Sequence, residues 1–261
     1  MIFGREEELK TLNKHYQMHN GELVIVYGRR RIGKSFLIKE FCKGKLNLCF
    51  EGLEGEASRV QISNFIKQLQ AQRQTDHLLT KINFDNWNDV FYYLTQEVID
   101  KHRSKAGKLV LFFDELQWMA ASRSRLISLI KYFWDNHWKD KGVMLILCGS
   151  LASFMVDKVI NSKALYGRCT LEMHIRGLPP NDAARFFKGK RSKHEILKYL
   201  MIFGTVPKYL ELINLNSSFR QNLNALCFSE GGYLFAEIHK IFYKQFREAD
   251  TYLQIVKSCK N

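Results

Sequence analysis

Proline is nearly absent from this chain, with three in 261 residues, and glycine is sparse at sixteen. Collagen-like and linker-like chains carry far more of both, so neither reading survives. Long apolar runs are missing too. The longest, Leu109–Phe113 and Val143–Cys148, are strand-sized, well short of the roughly 18 to 20 residues that span a bilayer. The opening Met1-Ile2-Phe3-Gly4-Arg5-Glu6 lacks the basic start and apolar stretch of a signal peptide. The expectation is a soluble, cytoplasmic chain with no membrane partner. None of the six cysteines, at 42, 49, 148, 169, 227 and 259, forms a C-x-x-C pair, which argues against a disulfide framework or a Cys-based metal site. Cys49 and Cys148 stand inside apolar runs and read as small hydrophobes. His15 and His19 have helical i, i+4 spacing with no acid between them, so they read as surface histidines rather than metal ligands.

What is present describes a globular protein. Hydrophobic residues make up 46% and aromatics 13%, enough for one large core and a small accessory domain. The one unusual bulk property is a net charge of +14. Such a surplus favours a polyanionic partner, because each phosphate contact releases a counterion.

Through residue 176, apolar runs alternate with longer helical patterns. Glu22–Tyr27, Leu46–Phe50, Lys108–Phe113, Gly142–Cys148 and Thr170–Ile175 read as strands. Helices are expected over Ser35–Cys42, near Ser58–Gln70, over Asn86–His102 and over Arg123–Trp138. Continuous apolar strands separated by helices imply a parallel sheet covered on both faces, a three-layer α/β core. The pattern changes at Gly177-Leu178-Pro179-Pro180, beyond which only helical segments follow. Asn181 or Asp182 could cap the first, through Phe187; His194–Phe203, Pro207–Ile213 and a stretch near Ala236–Phe246 are the others. The expected division is a core over 1–176, a small helical domain over 177–250, and the start of another amphipathic segment over 251–261.

The strongest motif is Gly28-Arg29-Arg30-Arg31-Ile32-Gly33-Lys34-Ser35, a complete G-x-x-x-x-G-K-S between a buried strand and a helix. Its glycines allow a close backbone approach. Loop amides and the helix N-terminus then face the β-phosphate of a nucleotide. Lys34 should reach the β- and γ-phosphates, and the Ser35 hydroxyl should bind Mg²⁺, with Phe36 next to it on the helix. The second motif, Leu109 to Glu115, delivers two adjacent carboxylates at the end of a buried strand, where open α/β sheets bind ligands. Asp114 would hold the Mg²⁺ and Glu115 would polarise the attacking water. Ser150, ending the run Leu145 to Gly149, is a candidate contact to the γ-phosphate or that water. Arg168, in Leu165-Tyr166-Gly167-Arg168, is the candidate for an arginine near the γ-phosphate, a role worth a factor of about 10³ to 10⁵ in turnover. No N-K-x-D guanine signature occurs, which leaves adenine as the better base.

In combination these pieces resemble the archaeal-type ATPases of the STAND group, relatives of the AAA+ enzymes. The opening Ile2-Phe3-Gly4-Arg5-Glu6-Glu7-Glu8-Leu9 is similar to that family's F-x-G-R-E-x-E-L start, with Ile2 where the pattern has phenylalanine. The arginine-rich loop, F-D-E-L-Q at 113–117, C-G-S at 148–150 and L-Y-G-R at 165–168 are similar as well. Gly204-Thr205-Val206-Pro207-Lys208-Tyr209-Leu210 resembles G-G-x-P-x-Y-L, with Thr205 in place of the second glycine. The resemblance implies an ASCE-type P-loop sheet with a C-terminal helical lid. It places Phe3, Gly4 and Arg5 against the adenine and Pro207 near the nucleotide. It also implies ATP and Mg²⁺ as cofactors, and a winged-helix domain whose first helix Tyr252–Val256 resembles.

Two functional classes follow. One is an Mg-dependent ATPase whose hydrolysis moves the lid. The other is a slow-turnover switch or scaffold for a protein partner, holding ATP or ADP, in which a nucleotide-dependent oligomer is open. A DNA partner could be gripped by the basic lid stretch Arg185, Lys188, Lys190, Arg191, Lys193 and Lys198, although a solvated surface explains such a run as well. Arg29, Arg30 and Arg31 fit nucleotide phosphates or a neighbouring subunit better than DNA.

Overall fold

Five apolar runs become five parallel strands in the computed structural model, which describes residues 3–73, 84–101, 107–120, 124–235, 237 and 249–258. They are β1 (Glu22–Tyr27), β2 (Asn47–Glu51), β3 (Leu109–Asp114), β4 (Val143–Gly149) and β5 (Leu171–His174). Their order across the sheet is β2-β3-β4-β1-β5. Every pairing is parallel, with Tyr27 opposite Gly149 and Phe113 opposite Leu147. The chain forms two compact units, Met1–Arg176 and Gly177–Asn261.

Helices cover both faces of the sheet, which explains why β3 and β4 are buried along their whole length. In the first unit these are α1 (Glu6–Tyr16), α2 (Lys34–Cys42), α3 (Ser58–Arg73), α4 (Trp87–Tyr93), α5 (Leu116–Met119), α6 (Leu126–Phe133) and α7 (Ala152–Phe154). Three of them, α4, α6 and α7, run on into π-helical turns over Leu94–Ile99, Trp134–Trp138 and Met155–Ile160. Leu23, Ile25, Phe50, Leu111, Phe113, Leu145 and Leu147 face α3, α4 and α6 in one large cluster. Alternation turns the buried Val24, Val26, Val110, Phe112, Ile146 and Cys148 to the opposite face, where α2 packs on β3 and α1 on α2.

Two polar devices finish this core. Trp138, fully buried, donates its Nε1–H to Thr95 Oγ1 at 2.9 Å, and that hydroxyl donates to the Phe91 carbonyl at 2.7 Å. Along the outer side of β2, Gln72 receives the Cys49 amide and donates to the Cys49 carbonyl, both at 2.7 Å. Gln68 does the same for Glu51, at 2.8 and 3.0 Å. The edge strand is thus closed by side chains of α3 instead of being left open to another strand.

Among its described residues the second unit has helices and no strand: α8 (Pro180–Ala184) with a 3₁₀ turn over Arg185–Phe187, α9 (Lys193–Phe203), α10 (Pro207–Glu211), α11 (Phe219–Leu223) running on into a π-helical turn over Asn224–Phe228, and a helix over Ala249–Ser258. Leu178, Ala183, Phe187, Tyr199, Phe203, Leu210 and Ile213 form its core. Ser192 with Glu195, and Ser218 with Gln221, make capping boxes.

Several expectations need correction. The first helix of this unit begins at Pro180, so Asn181 and Asp182 lie inside its first turn and cap nothing; proline's missing N–H suits that position. Helices α1, α5, α7 and α11 were not foreseen, because α5, α7 and α11 have only 4, 3 and 5 residues and α1 covers residues dominated by a motif. His15 is not a surface residue; its Nδ1 lies 2.7 Å from Glu22 Oε2, whose side chain is buried. The stretch near Ala236–Phe246 lies outside the described residues apart from Glu237.

Candidate functional site

The loop at 28–33 leaves the C-terminal end of β1 and enters α2 through Gly33, whose φ of 94° is left-handed. At Gly28, φ is 152° and a β-carbon would stand 2.2 Å from the Ile175 carbonyl oxygen. Neither a side chain nor an ordinary backbone fits there. Ile32 is buried and anchors the loop. Lys34 is 6% exposed and donates through Nζ to the Arg29 carbonyl at 3.1 Å, so the cation lies across the loop. Ser35, half-buried, and Phe36, 55% exposed, occupy the first turn of α2.

Arg5 holds this loop from behind. The residue is 4% exposed, and its guanidinium bonds Glu8 Oε1 at 2.9 Å, the Ile32 carbonyl at 3.2 Å and the Arg176 carbonyl at 2.6 Å. The side chain expected against the base is therefore committed to backbone carbonyls. Gly4, just before it, is buried with φ of 65°, and Phe3 is half-buried.

Sheet order brings the remaining groups together. Strand β4 lies between β1 and β3, so Ser150 stands between the loop and the carboxylate pair. Asp114 is 5% exposed and accepts the Glu115 amide at 3.0 Å. Burial, and then the Asp114 charge, push the neighbouring Cys148 thiol well above its ordinary value, so it stays protonated and hydrogen-bonds Asp114. Glu115 has a left-handed backbone, φ 50° and ψ 46°. Its Oε2 accepts from Ser150 Oγ at 2.7 Å and from Gln117 Nε2, and Gln117 also donates to Ser150 Oγ at 3.0 Å. Arg30 Nε lies 3.5 Å from the same Ser150 oxygen.

Two members of this group were not singled out from sequence. Gln117 was visible only as the last letter of F-D-E-L-Q. Its amide is 5% exposed and its Oε1 is buried without a hydrogen-bond partner. Glu54 follows β2 and pairs through Oε2 with Arg30 at 3.0 Å; an acidic residue in a loop beside β3 was the signal available.

Arg168 is not brought to this group. It precedes β5, and the adjacent Thr170 bonds Leu23 near the start of β1, at the end of the sheet opposite the loop. There its Nε and Nη2 grip Asp135 at 2.7 and 2.8 Å, which holds the Asp135 carboxyl below its ordinary range. Pro207 opens α10 in the second unit. Thr205 keeps an ordinary negative φ, and Gly204 alone takes the positive one, 69°. The missing second glycine therefore causes no backbone strain.

Hard oxygen donors are what Mg²⁺ selects, usually one or two from the protein with phosphate and water completing the shell. Asp114 and Ser35 carry oxygen donors of that kind. No cluster of three or more His, Cys, Asp or Glu residues that could hold a metal by itself occurs among the described residues.

A parallel three-layer sheet with a glycine-gated loop after β1, and a carboxylate pair at the end of β3, the next strand but one, defines the P-loop class. More narrowly, the chain belongs to the family of ATPase domains found predominantly in Archaea, whose model matches residues 2–213. An uncharacterized protein of Methanocaldococcus jannaschii is 27% identical over 259 residues, which cover 99% of this chain and 54% of that protein. This chain thus spans about half the length of that relative. An uncharacterized ATP-binding protein of Pyrococcus horikoshii is 24% identical over 240 residues, covering 80% of this chain and 73% of its own. Among solved structures, a Walker-type ATPase of Pyrococcus abyssi superposes with a TM-score of 0.67 at 19% identity, over 93% of this chain and 76% of that one. No helix among the described residues is long and apolar enough to cross a membrane.

Proposed function

We propose that the first unit binds ATP with Mg²⁺ and hydrolyses it to ADP and inorganic phosphate. The observation that carries this is the hydrogen-bonded group Ser150–Glu115–Gln117, set beside the phosphate loop by the sheet order. Loop amides and the N-terminus of α2 take the β-phosphate. Lys34, released from the Arg29 carbonyl, pairs with the β- and γ-oxygens. Ser35 and Asp114 would hold Mg²⁺, which when bound neutralises charge on the phosphates. Glu115 accepts a proton from the attacking water, oriented by Ser150, as the bond to the γ-phosphorus forms and its bond to the bridging oxygen breaks. The Pyrococcus horikoshii relative is described as an ATP-binding protein, which agrees with this reading.

Steady-state phosphate release tests it. Glu115→Gln is expected to lose about 10² to 10⁴-fold in kcat while keeping ATP affinity, and Lys34→Ala to lose both. Wild-type turnover equal to the Lys34→Ala background refutes hydrolysis.

A slow-turnover switch is the second reading, and one feature favours it: the Glu115 carboxylate is already held by two donors. Nucleotide retention with turnover slower than one per minute identifies that behaviour. Motion of the helical unit with nucleotide, a nucleotide-dependent oligomer and a DNA partner extend either reading. For DNA, the basic stretch is partly spent within its own unit: Arg191 bonds the Leu215 and Ser217 carbonyls and Arg185 pairs with Asp182. Lys188, Lys190, Lys193 and Lys198 are exposed.

A further inference from the structure

We infer that Arg30 is a cis-acting arginine for the terminal phosphate and that Glu54 is the anion that holds it until a nucleoside triphosphate arrives. The inference rests on the hydrolytic reading above and deepens it. Phosphoryl transfer spreads negative charge over the three outer oxygens of the γ-phosphoryl group, and a guanidinium beside them is a large part of catalysis. Arg168 cannot meet this need within the chain, because both arms of its fork are on Asp135 at the far end of the sheet. Arg30 sits where the charge would develop. It belongs to the phosphate loop, its Nε is 3.5 Å from Ser150 Oγ, and that oxygen is 2.7 Å from the Glu115 carboxylate. Its Cζ lies 5.9 Å from the Trp118 ring centroid, a face that accepts a guanidinium without fixing it.

The counter-anion is well chosen for release. The Arg30–Glu54 pair is 3.0 Å long, with side chains 34% and 48% exposed, so solvent screens it and its net attraction is small. A terminal phosphate carries more charge and more acceptors than a carboxylate and displaces it. The segment bearing Glu54 is itself held. Gln61, 1% exposed, bonds the Leu53 amide and carbonyl at 2.9 and 2.6 Å and the Glu56 carbonyl at 3.3 Å. The Gly52 amide bonds the Asp114 carbonyl at 3.1 Å. Glu54 is thereby tethered to the strand that carries Asp114, and Arg30 moves while its partner stays. A diphosphate lacks the group that draws Arg30 away, so Arg30 tells ATP from ADP.

The test measures ATP and ADP affinity and single-turnover hydrolysis for wild type, Arg30→Gln, Arg30→Lys and Glu54→Gln. Arg30→Gln should cut the hydrolysis rate by on the order of a thousandfold and weaken ATP selectively, with ADP affinity retained as evidence of an intact loop. Arg30→Lys should recover a minor part of the rate, since a point charge replaces the planar fork. Glu54→Gln should raise the preference for ATP over ADP. A rate for Arg30→Gln within threefold of wild type overturns the inference. Equal loss of ATP and ADP affinity overturns it too, since the side chain would then only shape the loop. Failure of wild type to bind or hydrolyse any nucleotide instead removes the hydrolytic reading itself.

Discussion

Removing Arg168 separates a structural role from a chemical one by orders of magnitude. Its guanidinium makes a two-pronged contact with Asp135, and Lys131 approaches the same carboxylate at 3.0 Å. Side chains 29% and 23% exposed lie near the solvent boundary, where ion pairs contribute about 0 to 1 kcal/mol and a bidentate fork reaches the top of that range. Arg168→Gln should therefore cost about 1 kcal/mol, lowering Tm by about 2 to 4 °C, and leave kcat within threefold. An arginine acting on the γ-phosphate would instead cost about 4 to 7 kcal/mol of barrier, a factor of 10³ to 10⁵. The acid side gives a second signature. Arg168 lowers the Asp135 pKa in the folded state, so the pair stabilises above the unfolded carboxyl value of about 3.9 and loses this as pH falls through the lower folded value. The Tm gap between wild type and Arg168→Gln should be full at pH 6 and shrink below about pH 4. A variant with wild-type Tm and a hundredfold loss of kcat would refute the assignment.

Gln117→Leu should lower kcat about tenfold, the equivalent of one lost hydrogen bond orienting Glu115; a rise in turnover would instead identify Gln117 as the restraint of a slow switch. Gly28→Ala should weaken nucleotide binding at least tenfold, because its β-carbon meets the Ile175 carbonyl. The matched control Gly44→Ala has φ of 72° with open space around it, and should cost only about 1 kcal/mol of stability with affinity unchanged. Thr95→Val strips the acceptor from the buried Trp138 N–H and should destabilise by about 1 to 3 kcal/mol in thermal or urea unfolding. Equal stability of the two proteins would mean that the indole finds another partner.

The strands were legible because each is a short continuous apolar run, and the glycine loop because its chemistry tolerates few substitutes. Ser150 was also readable, since a strand end carries a residue to the same edge of the sheet as the loop. Arg168 was misleading for a physical reason. Its motif precedes a parallel strand, and strand polarity sends whatever precedes β5 to the opposite edge. Arg5, placed near the adenine only by resemblance, bonds Glu8 and the Ile32 and Arg176 carbonyls, partners that the motif alone does not reveal. Gln117, Glu54 and Gln61 were hidden because amide and carboxylate side chains serve equally as surface residues. Their roles arise from partners 8 to 33 positions away. Helices α5, α7 and α11 escaped because short helices are held by packing more than by propensity.

The left-handed backbone at Glu115 sets the requirements of folding against those of the site. A residue with a β-carbon pays about 1 to 2 kcal/mol for that conformation, and glycine or asparagine would relieve much of it. Selection for heat tolerance alone would therefore enrich those two residues at position 115 and discard the carboxylate. If Glu115 serves the hydrolysis proposed above, that strain is retained for turnover, and glycine or asparagine at the equivalent place in a relative would predict nucleotide binding without hydrolysis.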